Sequence, residues 1–197
     1  MVDHIHVFSP AFQLLKRLSP SLGRITGIVS AGGRHGPFRS DTPALWDWGP
    51  HDVSMILDVT GSEPLRVSGR RTSRTAVEVG GFAENFEIDL EFREGVRARI
   101  TVGNALAPVR RFEVIHEQGT LIYDDLGKRK LTFRGAGAMT DARTLAEIAA
   151  SEPFRQPLDC ALESFCDAIR ARRSDLHHLD LAVGVVRVLE QVDRTLH

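Results

Sequence analysis

The chain's only two tryptophans flank an acid in Leu45-Trp46-Asp47-Trp48-Gly49-Pro50-His51-Asp52, and His51 follows Asp47 by four residues. A carboxylate and an imidazole at this spacing can hold and deprotonate a hydroxyl. If Pro50 opens a helix, His51 falls in its first turn. There the positive end of the helix dipole disfavours a further positive charge, leaving a neutral ring that accepts protons. Asp47, just ahead of the helix, would hold the imidazole or grip a substrate hydroxyl. The rings of Trp46 and Trp48 offer flat apolar surface of the kind that stacks on sugars. A purely structural role fits the same residues: Asp47 interacting with helix-start amides, and His51 as a satisfied polar side chain.

Other motifs carry less chemistry. Gly135-Ala136-Gly137 follows a strand and precedes a helical run, as a dinucleotide loop does. Residue 140 is Thr rather than Gly, however, the strand is short and polar, and no second strand–helix–strand unit follows. Gly32-Gly33-Arg34-His35-Gly36 has the wrong glycine spacing and runs into Pro37-Phe38, so it reads as a loop. His4 and His6 share one face of a predicted strand without an evident third ligand, so no metal site is expected. His177-His178 falls in a predicted helix–helix loop. Cys160 and Cys166, six residues apart on a predicted helix, point to different faces. They read as small buried side chains in a reducing compartment, not as a chelate or a disulfide.

Composition narrows the class. The chain has 197 residues, 42% hydrophobic and 26% charged, with a formal net charge of -1. That suits one well-buried globular domain over 1–197 and excludes wholesale disorder. Arg70-Arg71 and Lys128-Arg129-Lys130 are the longest basic clusters and read as solvated strand ends, so neither nucleic acid nor a membrane is an expected partner. No signal peptide and no membrane-length apolar run is present, which makes a cytoplasmic location the expectation.

The elements that must position Asp47 and His51 follow from periodicity. A strand is predicted over 2–8, then a helix with Ser9 as N-cap and Pro10 in its first turn, closed by Gly23. A strand over 24–31, an irregular segment over 32–48 and a helix from Pro50 to Val59, stopped by Gly61, come next. Strands follow over 65–75, 84–93, 96–104, 110–117, 120–123 and 128–133. Phe86, Ile88, Leu90 and Phe92 alternate with polar residues, as do Val96, Ala98, Ile100 and Val102. A three-residue turn, Arg93-Glu94-Gly95, sets Phe92 opposite Val96, Glu91 opposite Arg97 and Asp89 opposite Arg99. Helices over 141–150, from Pro157 to Arg172 and over 179–196 complete the chain. Clustered strands predict an α+β fold: an open, mostly antiparallel sheet with helices packed on one face. The other, charged face is left for solvent or a second subunit.

Taken in order, Phe8-Ser9-Pro10-Ala11-Phe12, Leu22-Gly23-Arg24-Ile25, Gly36-Pro37-Phe38-Arg39-Ser40-Asp41 and Leu45-Trp46-Asp47-Trp48-Gly49-Pro50-His51-Asp52 resemble a known family. It is the C-terminal domain of the glucose–fructose oxidoreductase/inositol dehydrogenase/rhizopine catabolism family (Gfo/Idh/MocA). The likeness extends through the Pro157 helix and is nearest to members acting on nucleotide-linked amino sugars. The resemblance implies NAD(P)-dependent oxidation of sugars or cyclitols, with Asp47 and His51 on the family's Asp-x-x-x-His signature, positioning and deprotonating the hydroxyl. It also implies a sugar or phosphate contact at Arg39, Ser40 and Asp41, and a homo-oligomer through the sheet face. Family members begin with a Rossmann domain bearing Gly-x-Gly-x-x-Gly and a later Glu-Lys-Pro motif; this chain has neither. No cofactor is therefore expected on the chain alone, and NAD(P) only when a Rossmann domain complements it.

Three functions fit. The chain is the substrate-binding and oligomerisation half of an enzyme whose cofactor half is a separate Rossmann chain. Alternatively it is a non-catalytic sugar-binding or scaffold module, or a truncated or mis-started form of a complete dehydrogenase. In-frame DNA upstream of Met1, or a neighbouring gene for a lone Rossmann domain, discriminates among them.

Overall fold

In a computed structural model of the chain, which describes residues 2, 4–78, 80–136, 141–172 and 176–196, seven strands form one sheet. They are β1 (Ile25–His35), β2 (Arg66–Ala76), β3 (Phe82–Glu91), β4 (Arg97–Gly103), β5 (Ala105–His116), β6 (Gly119–Asp124) and β7 (Leu131–Gly135). The helices are α1 (Pro10–Leu18), α2 (Ala44–Thr60), α3 (Ala142–Ser151), α4 (Pro157–Arg170) and α5 (His177–Thr195). Strand order is β2-β3-β4-β1-β5-β6-β7. Only β1 and β4 run parallel; every other neighbouring pair is antiparallel.

That order explains where α2 lies. It carries the chain from the central strand β1 to the far edge at β2, and the β2–β3–β4 meander then returns to place β4 beside β1. A crossover of this kind must pass over one face, and α2 packs on β1, β3 and β4. Beneath it Phe86, Ile88, Leu90, Ile100, Val102, Phe112 and Val114 are fully buried. Each such side chain contributes about 1.5–3 kcal/mol. On the opposite face Arg99 pairs with Asp89 at 2.8 Å and Arg70 with Glu87 at 2.6 Å.

The β3–β4 turn has the predicted register. Glu91 lies opposite Arg97 and Asp89 opposite Arg99, and the Phe92 amide donates to the Val96 carbonyl at 2.8 Å. Gly95 takes φ +78°, the left-handed conformation this loop needs.

Several elements differ from expectation. Within 2–8, where a strand was expected, Ile5–Phe8 forms a 3-10 turn; Asp3 lies outside the described residues. Its bonds are local, Val7 N to His4 O at 2.8 Å and Ser9 N to His6 O at 3.1 Å, and it packs on α2 and α4 instead of a strand. Ser9 occupies the N-cap position, but its hydroxyl makes no cap. β1 continues through the supposed glycine loop to His35.

α2 starts at Ala44, so Pro50 lies inside it. Burial of Ala44 and Leu45 draws the earlier turn into the helix. So does the buried Glu84 carboxylate, which accepts from the Ala44 amide at 3.4 Å and places negative charge at the helix start. His177 and His178 belong to the first turn of α5, not to a loop; His177 Nε2 meets Asp58 Oδ1 at 3.1 Å and His178 stacks on Phe8.

Cys160 is half-buried and Cys166 exposed, against the expectation that both are buried. The reason is that α4 rests on the 3-10 turn and buries only Ala161. Its apolar stripe stays open: Leu158 is 49%, Leu162 55%, Phe165 45% and Ile169 60% exposed.

Candidate active site on the crossover helix

With α2 beginning at Ala44, Asp47 sits in its first turn and His51 one turn further on, so the two share one side of the helix. Asp47 is half-buried and pairs with Arg39, Nε to Oδ1 3.5 Å. Thus Arg39 and Asp47 come together, whereas Ser40 and Asp41 lie exposed on the approach. Trp46 and Trp48 both pack partly against the core. They stand about 200° apart around the helix, so only one can share the His51 face, and the spacing assigns that place to Trp48.

His51 is half-buried and its Nδ1 is buried without a hydrogen-bond partner among the described residues. Burial, the Arg110 guanidinium and His4 lower its pKa to about 4. The neutral ring therefore owes its state to burial and positive neighbours; the helix N-terminus, expected to act on it, lies too far back. Trp48 Nε1, one turn away, is likewise buried and unpartnered. Buried polar atoms usually have a partner, so the two mark the interior side of the site as incompletely satisfied.

Beneath them lies a buried polar cluster that the motifs did not reveal. Arg110 Nη1 meets Asp52 Oδ2 at 3.2 Å, and Ser30 donates its hydroxyl to Asp52 Oδ1. The Arg110 guanidinium lies 5.2 Å from the Trp48 ring centre, a cation–π contact. Burial pushes the Asp52 carboxyl up, while Arg110 and Ser30 act against it. Gly32 makes the pair possible, because a Cβ there would stand 2.5 Å from both Arg110 Nη1 and Asp52 Oδ2. One signal was available: Arg110 occupies the inward register of Phe112 and Val114, where an unpaired charge would be costly.

His6 also joins the site. Its ring meets that of His51 edge-to-face, centroids 5.4 Å apart, and its Nδ1 lies 3.1 Å from the Tyr123 hydroxyl. Among the described residues no cluster of three His, Cys, Asp or Glu side chains is arranged to hold a metal, and no helix is long and apolar enough to cross a membrane.

The start of α3 is already occupied by a side chain of its own. At the start of α3, the helix after Gly135-Ala136, the Asp141 carboxylate accepts from the Arg143 and Thr144 amides at 3.1 and 3.3 Å, which are the donors a pyrophosphate would use. Gly137 and Thr140 of that segment lie outside the described residues.

The sheet and its crossover helix are those of a C-terminal domain of oxidoreductase type. The GFO/IDH/MocA C-terminal domain matches residues 19–122, and the chain belongs to that family. Among solved structures it is similar to a protein from Magnetospirillum magnetotacticum MS-1 assigned as an oxidoreductase. Identity is 34% and TM-score 0.81, over 97% of this chain and 62% of that one. The fold is shared with UDP-N-acetylglucosamine 3-dehydrogenase from Acidithiobacillus ferrooxidans, at 21% identity and TM-score 0.67 over 99% and 62% of the two chains. It is shared too with the WlbA dehydrogenase from Bordetella pertussis, solved with NADH and UDP-GlcNAcA, at 14% identity and TM-score 0.73 over 98% and 60%. The chain thus spans about three fifths of each of these structures. Comparison with the curated proteins gives no match.

Proposed function

We propose that this chain is the substrate-binding and oligomerisation half of an NAD(P)-dependent sugar or nucleotide-sugar oxidoreductase. The observation that carries the reading is the placement of Asp47 and His51 one turn apart on α2, with His51 neutral and backed by buried polar groups. In this reading His51 accepts the proton of the substrate hydroxyl, and Asp47 with Arg39 orients the sugar or its phosphate. Ser40, Asp41 and the ring of Trp48 complete the wall, with Trp46 contributing from the other side of the helix. Arg110 and Asp52 hold α2 on the sheet beneath them. Hydride acceptance falls to a cofactor domain outside the described residues. The open apolar stripe of α4 supports a partner surface, since Leu158, Leu162, Phe165 and Ile169 gain about 25 cal/mol per Å² when covered.

A second reading, a non-catalytic sugar-binding module, is favoured by one observation: Asp47 is engaged by Arg39. Turnover separates the two. The chain is mixed with a family cofactor domain, and NAD(P)H formation is followed with a UDP-linked amino sugar. Turnover that falls about 10²–10⁴-fold in His51→Ala supports the enzyme half. Equal turnover in His51→Ala removes it, and sugar binding without turnover favours the module.

A further inference from the structure

We propose that His6, held by Tyr123, is a positioning residue for His51: it packs behind the imidazole and fixes the ring so that Nε2 is the nitrogen offered to a substrate. The proposal rests on the reading of His51 as the proton acceptor.

The geometry begins with the 3-10 turn. Ile5–Phe8 packs on α2, which brings the buried His6 ring edge-to-face against His51, 82° between planes. His51 Nδ1 is buried, which leaves Nε2 as the nitrogen for a substrate. Behind His6, Tyr123 is fully buried on β6, its hydroxyl 3.1 Å from His6 Nδ1. Burial first, and the neighbouring Asp125 carboxylate with it, keeps the proton on the phenol; Ser9 acts in the opposite sense. The Tyr123 hydroxyl and His6 Nδ1 share one hydrogen bond, which orients the His6 ring. The chain of contacts thus runs from Tyr123 through His6 to His51.

His6 stays uncharged in this setting. Burial, Arg110 and His51 lower its pKa to about 3. The charged and titratable groups around the two rings are Arg110 from β5, Tyr123 from β6, and His4 beside the 3-10 turn. Two neutral rings can pack closely, whereas two imidazolium rings beside Arg110 would repel. Without His6 a void would open behind His51, letting the ring turn and water enter. A misplacement of about 1 Å in a reacting group costs on the order of 10²-fold in rate.

The test reads the chain itself, by NMR of ¹⁵N-labelled histidine side chains across pH 5–8. Wild type is expected to show His6 as a single tautomer and a His51 ring that does not titrate above pH 5. Tyr123→Phe should mix the His6 tautomers and shift the His51 ring signals through the His6–His51 ring contact. His6 and His51 signals that do not move in Tyr123→Phe would overturn the proposal. If that variant does not fold, His6→Gln is read instead, and His51 ring signals that do not move there are equally contrary. With a cofactor domain supplied, His6→Gln should lower kcat about 10–100-fold with KM unchanged. Loss of turnover in His51→Ala with none in His6→Gln refutes positioning and leaves the functional reading intact. Retained turnover in His51→Ala refutes the functional reading, and positioning with it. A tautomer shift relayed to His51 in that case marks a structural contact only.

Discussion

Arg110 and Asp52, 58 residues apart in sequence, form a buried ion pair at 3.2 Å that joins β5 to α2, with Gly32 of β1 leaving the space in which they meet. Removing either partner leaves a buried charge unanswered. Arg110→Met or Asp52→Ala should therefore lower the unfolding free energy by about 3–5 kcal/mol, read from urea denaturation. The double replacement should cost less than the sum of the two. Gly32→Ala should also destabilise, by about 1–3 kcal/mol, because its methyl collides with both side chains. Full stability in Gly32→Ala would mean that the pair is looser than described.

Stability should fall on acidification. His51 and His6 have folded pKa values lowered to about 4 and about 3 from the ordinary 6.5. The unfolded chain therefore binds protons that the folded chain refuses. The stability these neutral rings contribute is complete above pH 6.5. It is lost as pH falls, through pH 4 for His51 and pH 3 for His6, with a slope of about 1.4 kcal/mol per pH unit for each ring. Denaturation at pH 7, 6 and 5 checks this: His51→Gln should have the shallower slope, and an unchanged slope would contradict the burial of the ring.

Much of the sheet was legible in the sequence, while the site was only half so. The Phe86–Phe92 and Val96–Val102 alternations specify both faces of β3 and β4, and a one-residue slip would invert them, so the register followed. The start of α2 did not follow, because a proline usually marks a helix start and what moves it to Ala44 is tertiary, the burial of Ala44 and Leu45 and the Glu84 contact. His6 and Tyr123 are 117 residues apart, and nothing local joins them. The segment holding His6 alternates like a strand yet finds no strand partner, and only the packing of α2 and α4 decides its shape.

The outer cross-strand pairs should act mainly on register. A double-mutant cycle on Asp89 and Arg99, which meet at 2.8 Å with both side chains well exposed, should give a coupling of about 0.2–1 kcal/mol that shrinks in high salt. A coupling above this range, insensitive to salt, would indicate that the face is covered.

Self-association should use that same face. Val29, central in the sheet on β1 and 45% exposed, lies between Arg99 and Glu113. Val29→Glu should convert an oligomer to monomer in sedimentation at micromolar concentration, and raised salt should weaken the contact. A wild-type monomer under those conditions counts against the sheet as an interface.

The isolated chain should bind NADH no more than weakly, since Asp141 occupies the helix-start amides that follow its glycine-containing turn. A saturable micromolar site in a fluorescence titration would overturn that expectation.

Calorimetric titration of the chain with UDP-N-acetylglucosamine, beside Asp47→Ala and His51→Ala variants of unchanged melting temperature, tests the substrate-half account most directly. Wild type is expected to bind saturably, with affinity about tenfold or more weaker in each variant, as loss of a buried or charged hydrogen bond would cause. Equal affinity in all three proteins would contradict it.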